Sequence, residues 1–276
     1  MMNLEIGQVL NPSYGLGMVA LSFLIACAGS FVALLCARRM FSAEGQLDWP
    51  MAIGAAVALG GIGIWSMHFI GMVAYSLPVR VSYDIALTVV SLLAAIGISG
   101  LALYLAGSGK GRFNRTGWAA GSMIAGLGVC VMHYMGMFAM NMRATMEFDT
   151  SRVALSVLIA VTAAAAALWL AFNLRKMAHQ AAAAVVMGLA VCSMHYVGMS
   201  AATMICTAAA PTNGFTFGGS LLGLMVFGVS GAVLLLIGYV MSERSIDDAA
   251  HGVREPSETL FGRITAANSR AHVQSH

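Results

Sequence analysis

The sequence predicts an all-α polytopic membrane protein with seven transmembrane helices, built as three helix-pair repeats and one terminal helix. Three observations predict it. Of 276 residues, 59% are hydrophobic and only 9% are charged, whereas an ordinary globular chain is about one quarter charged. Several apolar runs each exceed the roughly 18 residues taken as the threshold for a spanning helix. A twelve-residue motif then recurs three times at intervals of about one helix pair.

The spans read in order as about 14–37, 51–75, 84–106, 117–140, 152–173, 180–204 and 217–241. Each is long enough to cross a hydrocarbon core about 30 Å thick. Pro50 opens the second run, Pro78 follows it, and Pro211 with Asn213-Gly214 separates the sixth from the seventh. This divides the chain into an extracytoplasmic segment 1–13, a seven-helix domain 14–241 with repeats 14–75, 84–140 and 152–204 followed by helix 217–241, and a tail 242–276.

Basic residues set the expected orientation. Arg38, Arg39, Lys110, Arg112, Arg115, Arg175, Lys176 and Arg244 lie on one side, eight in all, against Arg80, Arg143 and Arg152 on the other. The bias places the C-terminus in the cytoplasm and the N-terminus, which has no Lys or Arg before residue 14, outside a bacterial inner membrane. The first apolar run lacks a basic leader and is long enough to span, so it reads as a helix rather than a cleaved signal. The net charge of +3 is accounted for by the cytoplasmic loops and gives no reason to expect nucleic acid as a partner. Five cysteines, an odd number, do not form a disulfide framework.

The repeat carries the chemistry. Residues 61–72 read GIGIWSMHFIGM, 126–137 read GLGVCVMHYMGM and 188–199 read GLAVCSMHYVGM. His68, His133 and His195 therefore stand 65 and 62 residues apart, each on the second helix of a pair. His68 precedes Tyr75 by seven residues, about 10 Å of helix, which places the three imidazoles at one depth in the outer half of the bilayer. Ionisable groups in hydrocarbon are costly and usually face a cavity or a partner. Three converging imidazoles are poor partners for one another, and a transition metal would satisfy all three. A hydrogen-bonded structural layer and a proton or ion pathway are the alternatives.

Met72, Met137 and Met199 follow their histidines at i+4 on the same helix face, and Met67, Met132 and Met194 precede them at i−1 on another. Cys130 and Cys192 lie at i−3, with Trp65 in their place in the first copy. Sulfur so close to imidazole favours copper, while three histidines with an open position equally suit zinc. The motif glycines Gly61, Gly63, Gly126, Gly128 and Gly188 are expected to draw the three histidine-bearing helices together. Ser76, Asn141 and Thr203, eight residues after each histidine, should mark the outer interface.

At these residues the chain resembles the MHYT domain family of bacterial membrane sensors, named for a repeated Met-His-Tyr-Thr motif. The resemblance covers all three helix pairs, about residues 14–205. It implies a seven-helix sensor domain that binds copper and through it senses oxygen, carbon monoxide or nitric oxide. The family's histidines fall on His68, His133 and His195, its leading methionines on Met67, Met132 and Met194, and its second methionines on Met72, Met137 and Met199. The fourth motif position holds Ile70, Met135 and Val197 rather than Thr.

Three functions remain open at this stage. The first is a stand-alone sensor in which a small ligand arriving from outside alters helix packing and a separate cytoplasmic partner reads the change. A tail of about 35 residues is too short for an effector enzyme of the kind related sensors carry, and His251, His272 and His276 within it lack ligand-like spacing. The second is a zinc enzyme that hydrates CO2, against which Asp84, Glu147 and Asp149 stand at helix ends rather than beside the histidines. The third is a metal or proton transporter, for which the inner half of the bundle supplies few polar side chains.

Overall fold

The computed structural model describes residues 5–42, 44–108, 114–174, 176–207, 215–219 and 221–243. Lys110, Arg112, Arg175, Pro211, Asn213, Gly214 and the tail from Arg244, with its three histidines, lie outside the described residues.

Seven helices are long and apolar enough to span a membrane: α1 (Leu16–Ala37), α2 (Trp49–Ala74), α3 (Ile85–Gly107), α4 (Arg115–Phe138), α5 (Thr150–Asn173), α6 (Met177–Ser200) and α7 (Leu221–Glu243). Polar caps start four of them, each side chain accepting from a first-turn N–H that has no partner within the helix. Asp48 accepts from Met51 N at 3.1 Å, Asp84 from Leu87 N at 2.8 Å, Asn114 from Gly117 N at 3.0 Å, and Asp149 from Ser151 N at 2.8 Å. The Ser151 hydroxyl, followed by the backbone N–H groups of Arg152 and Ser151, holds the Asp149 carboxyl below the usual carboxylate range. Residues from Leu235 form a second unit, in which the Tyr239 hydroxyl donates to the Glu243 carboxylate.

The even-numbered helices form the interior. Half or more of the apolar window of α2, α4 and α6 is buried (83%, 50% and 50%), against 44% for α1, 28% for α3, 17% for α5 and 22% for α7. Going round, α1 packs on α2, α2 on α3, α3 on α4, α4 on α5, α5 on α6, and α6 back on α1. Every inner helix is thus flanked by two outer ones. The segment of α7 up to Leu234 lines a groove with α2 and α3, and Ser230 Oγ donates to Ser66 Oγ of α2 at 2.7 Å.

Short strands, absent from the all-α expectation, close one end of the bundle. They are β1 (Val9–Leu10), β2 (Ser13–Tyr14), β3 (Tyr75–Ser76), β4 (Ser82–Asp84), β5 (Met140–Asn141), β6 (Ala144–Phe148), β7 (Ala202–Cys206) and β8 (Thr216–Gly218). In every repeat the strand before the outer helix pairs antiparallel with the strand after the inner one: β2 with β3, β4 with β5, and β6 with β7. The register is equivalent in all three, because the N-cap N–H of the outer helix donates to the carbonyl of the alanine six residues past the histidine. Gly15 N reaches Ala74 O at 2.9 Å, Asp84 N reaches Ala139 O at 2.8 Å, and Asp149 N reaches Ala201 O at 2.8 Å. Ser76, Asn141 and Thr203 accordingly lie in β3, β5 and β7. Sequence-derived spans ending at 140 and 204 overran because apolar strand residues there continue the hydrophobic run without a polar break.

The repeats differ in α2, whose residues Val57–Ser66 wind as a π-helix. Ser66 Oγ donates to Gly61 O, five residues back, at 2.8 Å. Such segments are rare and favour functional sites. Here the wide turn immediately precedes Met67 and His68.

A buried cluster of three histidines

His68, His133 and His195 are each 1% exposed and project from α2, α4 and α6 into one point of the bundle. One ring nitrogen of each lies within 4.8 Å of the other two, close enough to hold a metal ion. The converging atoms are the Nδ1 nitrogens: His68 to His195 at 3.0 Å and His133 to His68 at 3.1 Å. The rings stand edge to face at centroid separations of 5.0, 5.0 and 5.2 Å. Each histidine also meets the ring of the aromatic residue that follows it, Phe69, Tyr134 or Tyr196.

The opposite ring atoms explain how three imidazoles fit between packed helices. His68 Nε2 lies against Gly136, His133 Nε2 against Gly198, and His195 Nε2 against Gly71. A β-carbon at any of these glycines would overlap Nε2 and stand within 2.9 Å of Cδ2. The pattern is cyclic: each ring rests on the glycine three residues after the next copy's histidine. The glycines expected to draw the inner helices together do something else. Gly126 packs on Val161, Gly128 on Ile98 and Gly188 on Cys27, all on outer helices. The inner helices meet where the glycine three residues past each histidine receives another copy's imidazole.

Hydrogen bonding alone accounts poorly for the cluster. His68 Nδ1 takes part in both close contacts, yet one ring nitrogen offers either one N–H or one lone pair. None of the three buried Nε2 atoms has a hydrogen-bond partner, and because they point away from the common centre, a cation held by Nδ1 leaves them unchanged. Nitrogens held about 2.0–2.1 Å from a single tetrahedral ion stand about 3.3 Å apart, so Nδ1 atoms 3.0 and 3.1 Å apart are near the spacing of a shared cation.

The sulfur-bearing candidates occupy two kinds of place. Cys192 packs with Ala26 and Met67, and Cys130 with Ala160 and Met194, in apolar clusters beside the site. Neither cysteine joins the imidazole group. Met132 is 1% exposed, and Met72, Met137 and Met199 are 1%, 0% and 1% exposed.

A second ring of contacts supports the first and was not read from the sequence. Ser22, Ser91 and Ser156, one on each outer helix and each 0% exposed, donate to the carbonyl three residues back, at Val19, Thr88 and Val153. Their oxygens are left to accept. Tyr196 OH reaches Ser22 at 2.9 Å and Tyr134 OH reaches Ser156 at 2.8 Å. In the first copy Phe69 has no hydroxyl, and Trp65 Nε1 donates to Ser91 at 2.9 Å instead. Trp65 stands where the other copies have cysteine, so one departure from the repeat compensates the other.

Residues 61–119 and 126–184 match the MHYT family model, described as a bacterial signalling protein N-terminal repeat. Each matched segment opens in an inner helix a few residues before its histidine. His195 lies beyond both, and its place in the cluster follows from the geometry above. The chain is 44% identical over 199 residues to the bifunctional diguanylate cyclase/cyclic di-GMP phosphodiesterase MucR of Pseudomonas aeruginosa, covering 70% of this chain and 29% of that protein. It is 35% identical over 212 residues to the cyclic di-GMP phosphodiesterase NbdA of the same organism, covering 74% and 27%. To the signaling protein YkoW of Bacillus subtilis it is 29% identical over 201 residues, covering 70% and 25%. The chain thus spans less than a third of the length of these relatives. No solved structure matches it.

Proposed function

This chain is a multi-pass membrane protein carrying the MHYT repeat domain of bacterial signalling proteins, and from that premise we propose that it is a metal-dependent sensor of a small ligand. His68, His133 and His195 hold one transition-metal ion through Nδ1, copper in the first instance and zinc in the second. The ligand is a diatomic gas, O2, CO or NO. The convergence of the three imidazoles on a buried point, with His68 Nδ1 3.0 Å from that of His195 and 3.1 Å from that of His133, is the observation that carries this reading.

When bound, the metal supplies an open coordination position for the ligand. The chain's own residues do the rest. Gly71, Gly136 and Gly198 seat the imidazoles and fix Nδ1 as the inward atom. The bonds from Tyr134, Tyr196 and Trp65 to serines of the outer helices tie each inner helix to an outer one. A shift of one imidazole therefore moves two helices. The bond between Ser66 and Ser230 extends that link to α7, on the C-terminal side of the repeats. The names of MucR and NbdA support cyclic di-GMP turnover as the output, and the positive-inside bias supports a cytoplasmic C-terminus in a bacterial inner membrane.

Carbon dioxide hydration on zinc fits less well. Among the described residues the group contains only imidazoles, with no carboxylate to accept a proton. Elemental analysis of detergent-purified protein tests the main reading. Wild type should carry one metal per chain, and a triple His68→Ala, His133→Ala, His195→Ala variant none. Full metal content in the triple variant would overturn it.

A further inference from the structure

One helical turn from the imidazoles, on the side away from the strand-capped end, the bundle is hollow. A cavity of about 50 Å³ lies among α2, α3, α4, α5 and α6. Ile64, Val129 and Val191 line it, each four residues before its histidine and so on the same helix face. Met194, adjacent to His195, lines it as well, and Ser99 is its one polar side chain among the described residues. Its far wall is the alanine run 163–167 of α5, from which Ala163, Ala164 and Ala167 face the space. α5 is the least buried of the seven helices, at 17% of its apolar window.

Size and polarity select the occupant. A single water takes about 10–15 Å³ on this measure, so the space admits a molecule of a few heavy atoms at most. An acyl chain or a drug-sized ligand does not fit, since those need several hundred Å³. Water is disfavoured because a buried water needs two to four polar partners and the walls offer one hydroxyl. Apolar cavities of this character stay dry and take up apolar guests such as xenon. The alanine run leaves the space unfilled where larger side chains would occupy it, although a void forfeits dispersion contacts.

We infer that this cavity is a binding site for a diatomic, weakly polar gas molecule, held one helical turn from the histidine cluster and reached from the bilayer past the alanine face of α5. Such gases dissolve readily in hydrocarbon, so the lipid itself delivers them. The assignment of gas as the natural occupant rests on the sensor reading above, but the cavity's affinity for an apolar atom does not depend on a metal.

Xenon is the probe. Crystals of the full chain pressurised with xenon should show an atom in this cavity, bounded by Val129, Val191 and Ala164. Ala164→Leu, which projects a larger side chain into the space, should abolish that xenon while metal content and helix content stay at wild-type values. An empty cavity in pressurised wild-type crystals, or equal xenon occupancy in Ala164→Leu, would overturn the assignment. The two readings fail separately: protein that takes xenon but no metal refutes the metal site alone, and protein that holds metal but no xenon refutes the cavity site alone.

Discussion

His68 Nε2 rests against the backbone of Gly136, at a place where any β-carbon would overlap it. The same relation joins His133 to Gly198 and His195 to Gly71. These glycines are spaces for a neighbour's imidazole rather than flexible points. Gly136→Ala should therefore leave the helix intact, since alanine favours helix over glycine by about 1 kcal/mol, while pushing His68 off the common centre. Metal content should fall well below one per chain with far-ultraviolet circular dichroism unchanged. Gly71→Ala and Gly198→Ala should behave alike, whereas Gly97→Ala, with nothing within 4 Å of the added carbon, should keep its metal.

Much of this was legible in the sequence, and what was missed has physical causes. The seven spans and the three histidines stand out because bilayer thickness and motif spacing are strong constraints. The alanine six residues past each histidine, Ala74, Ala139 and Ala201, was equally repeated, but its role lies in a backbone carbonyl that the side chain does not reveal. Ser22, Ser91 and Ser156 were missed because a lone serine in an apolar helix carries no local signal of its partner. The strands are too short, at two to five residues, for alternation to show. Within the π-helix of α2, Gly60 meets Ala95 and Gly63 meets Ser30, contacts between helices that no single helix encodes.

Orientation is open to a direct test. Ser76 is exposed in β3, and Gln46 is exposed in the connection between α1 and α2 at the other end of the bundle. In a cysteine-free background, Ser76→Cys in intact cells should react with a membrane-impermeant thiol reagent. Gln46→Cys should react only after the membrane is opened. The reverse pattern would invert the topology and move the strands to the cytoplasmic face.

Ser230 makes a polar contact from α7 to the helix that bears His68. It is 4% exposed and bonds to Ser66 at 2.7 Å, where the π-helical segment ends. Ser230→Ala should cost about 1 kcal/mol of stability, the usual net worth of one hydrogen bond. Amide exchange in residues 57–66 should rise more than elsewhere, because that segment loses its tie to α7. Metal content should stay near wild type, since Ser230 touches no histidine. Uniform exchange changes across all seven helices would show that the bond serves general packing instead.

The pairing of Trp65 with Phe69 yields the sharpest test of the cyclic design. Two copies use a tyrosine hydroxyl to reach the buried serine, and the first copy uses the Trp65 indole to reach Ser91 at 2.9 Å. Phe69→Tyr alone adds a hydroxyl while the Trp65 N–H still occupies the serine oxygen, and an unsatisfied buried polar group costs about 1–3 kcal/mol. Trp65→Cys alone removes a large buried side chain, for which truncations to alanine cost about 3–5 kcal/mol. Together the changes recreate the Cys and Tyr arrangement of the other copies, so the introduced phenol hydroxyl would reach Ser91 and recover one hydrogen bond. The double variant should be more stable than the sum of the single effects predicts by about 1 kcal/mol or more, a coupling that a double-mutant cycle in thermal or denaturant unfolding resolves. Strict additivity would mean that the three serines do not act as equivalent acceptors around the cluster.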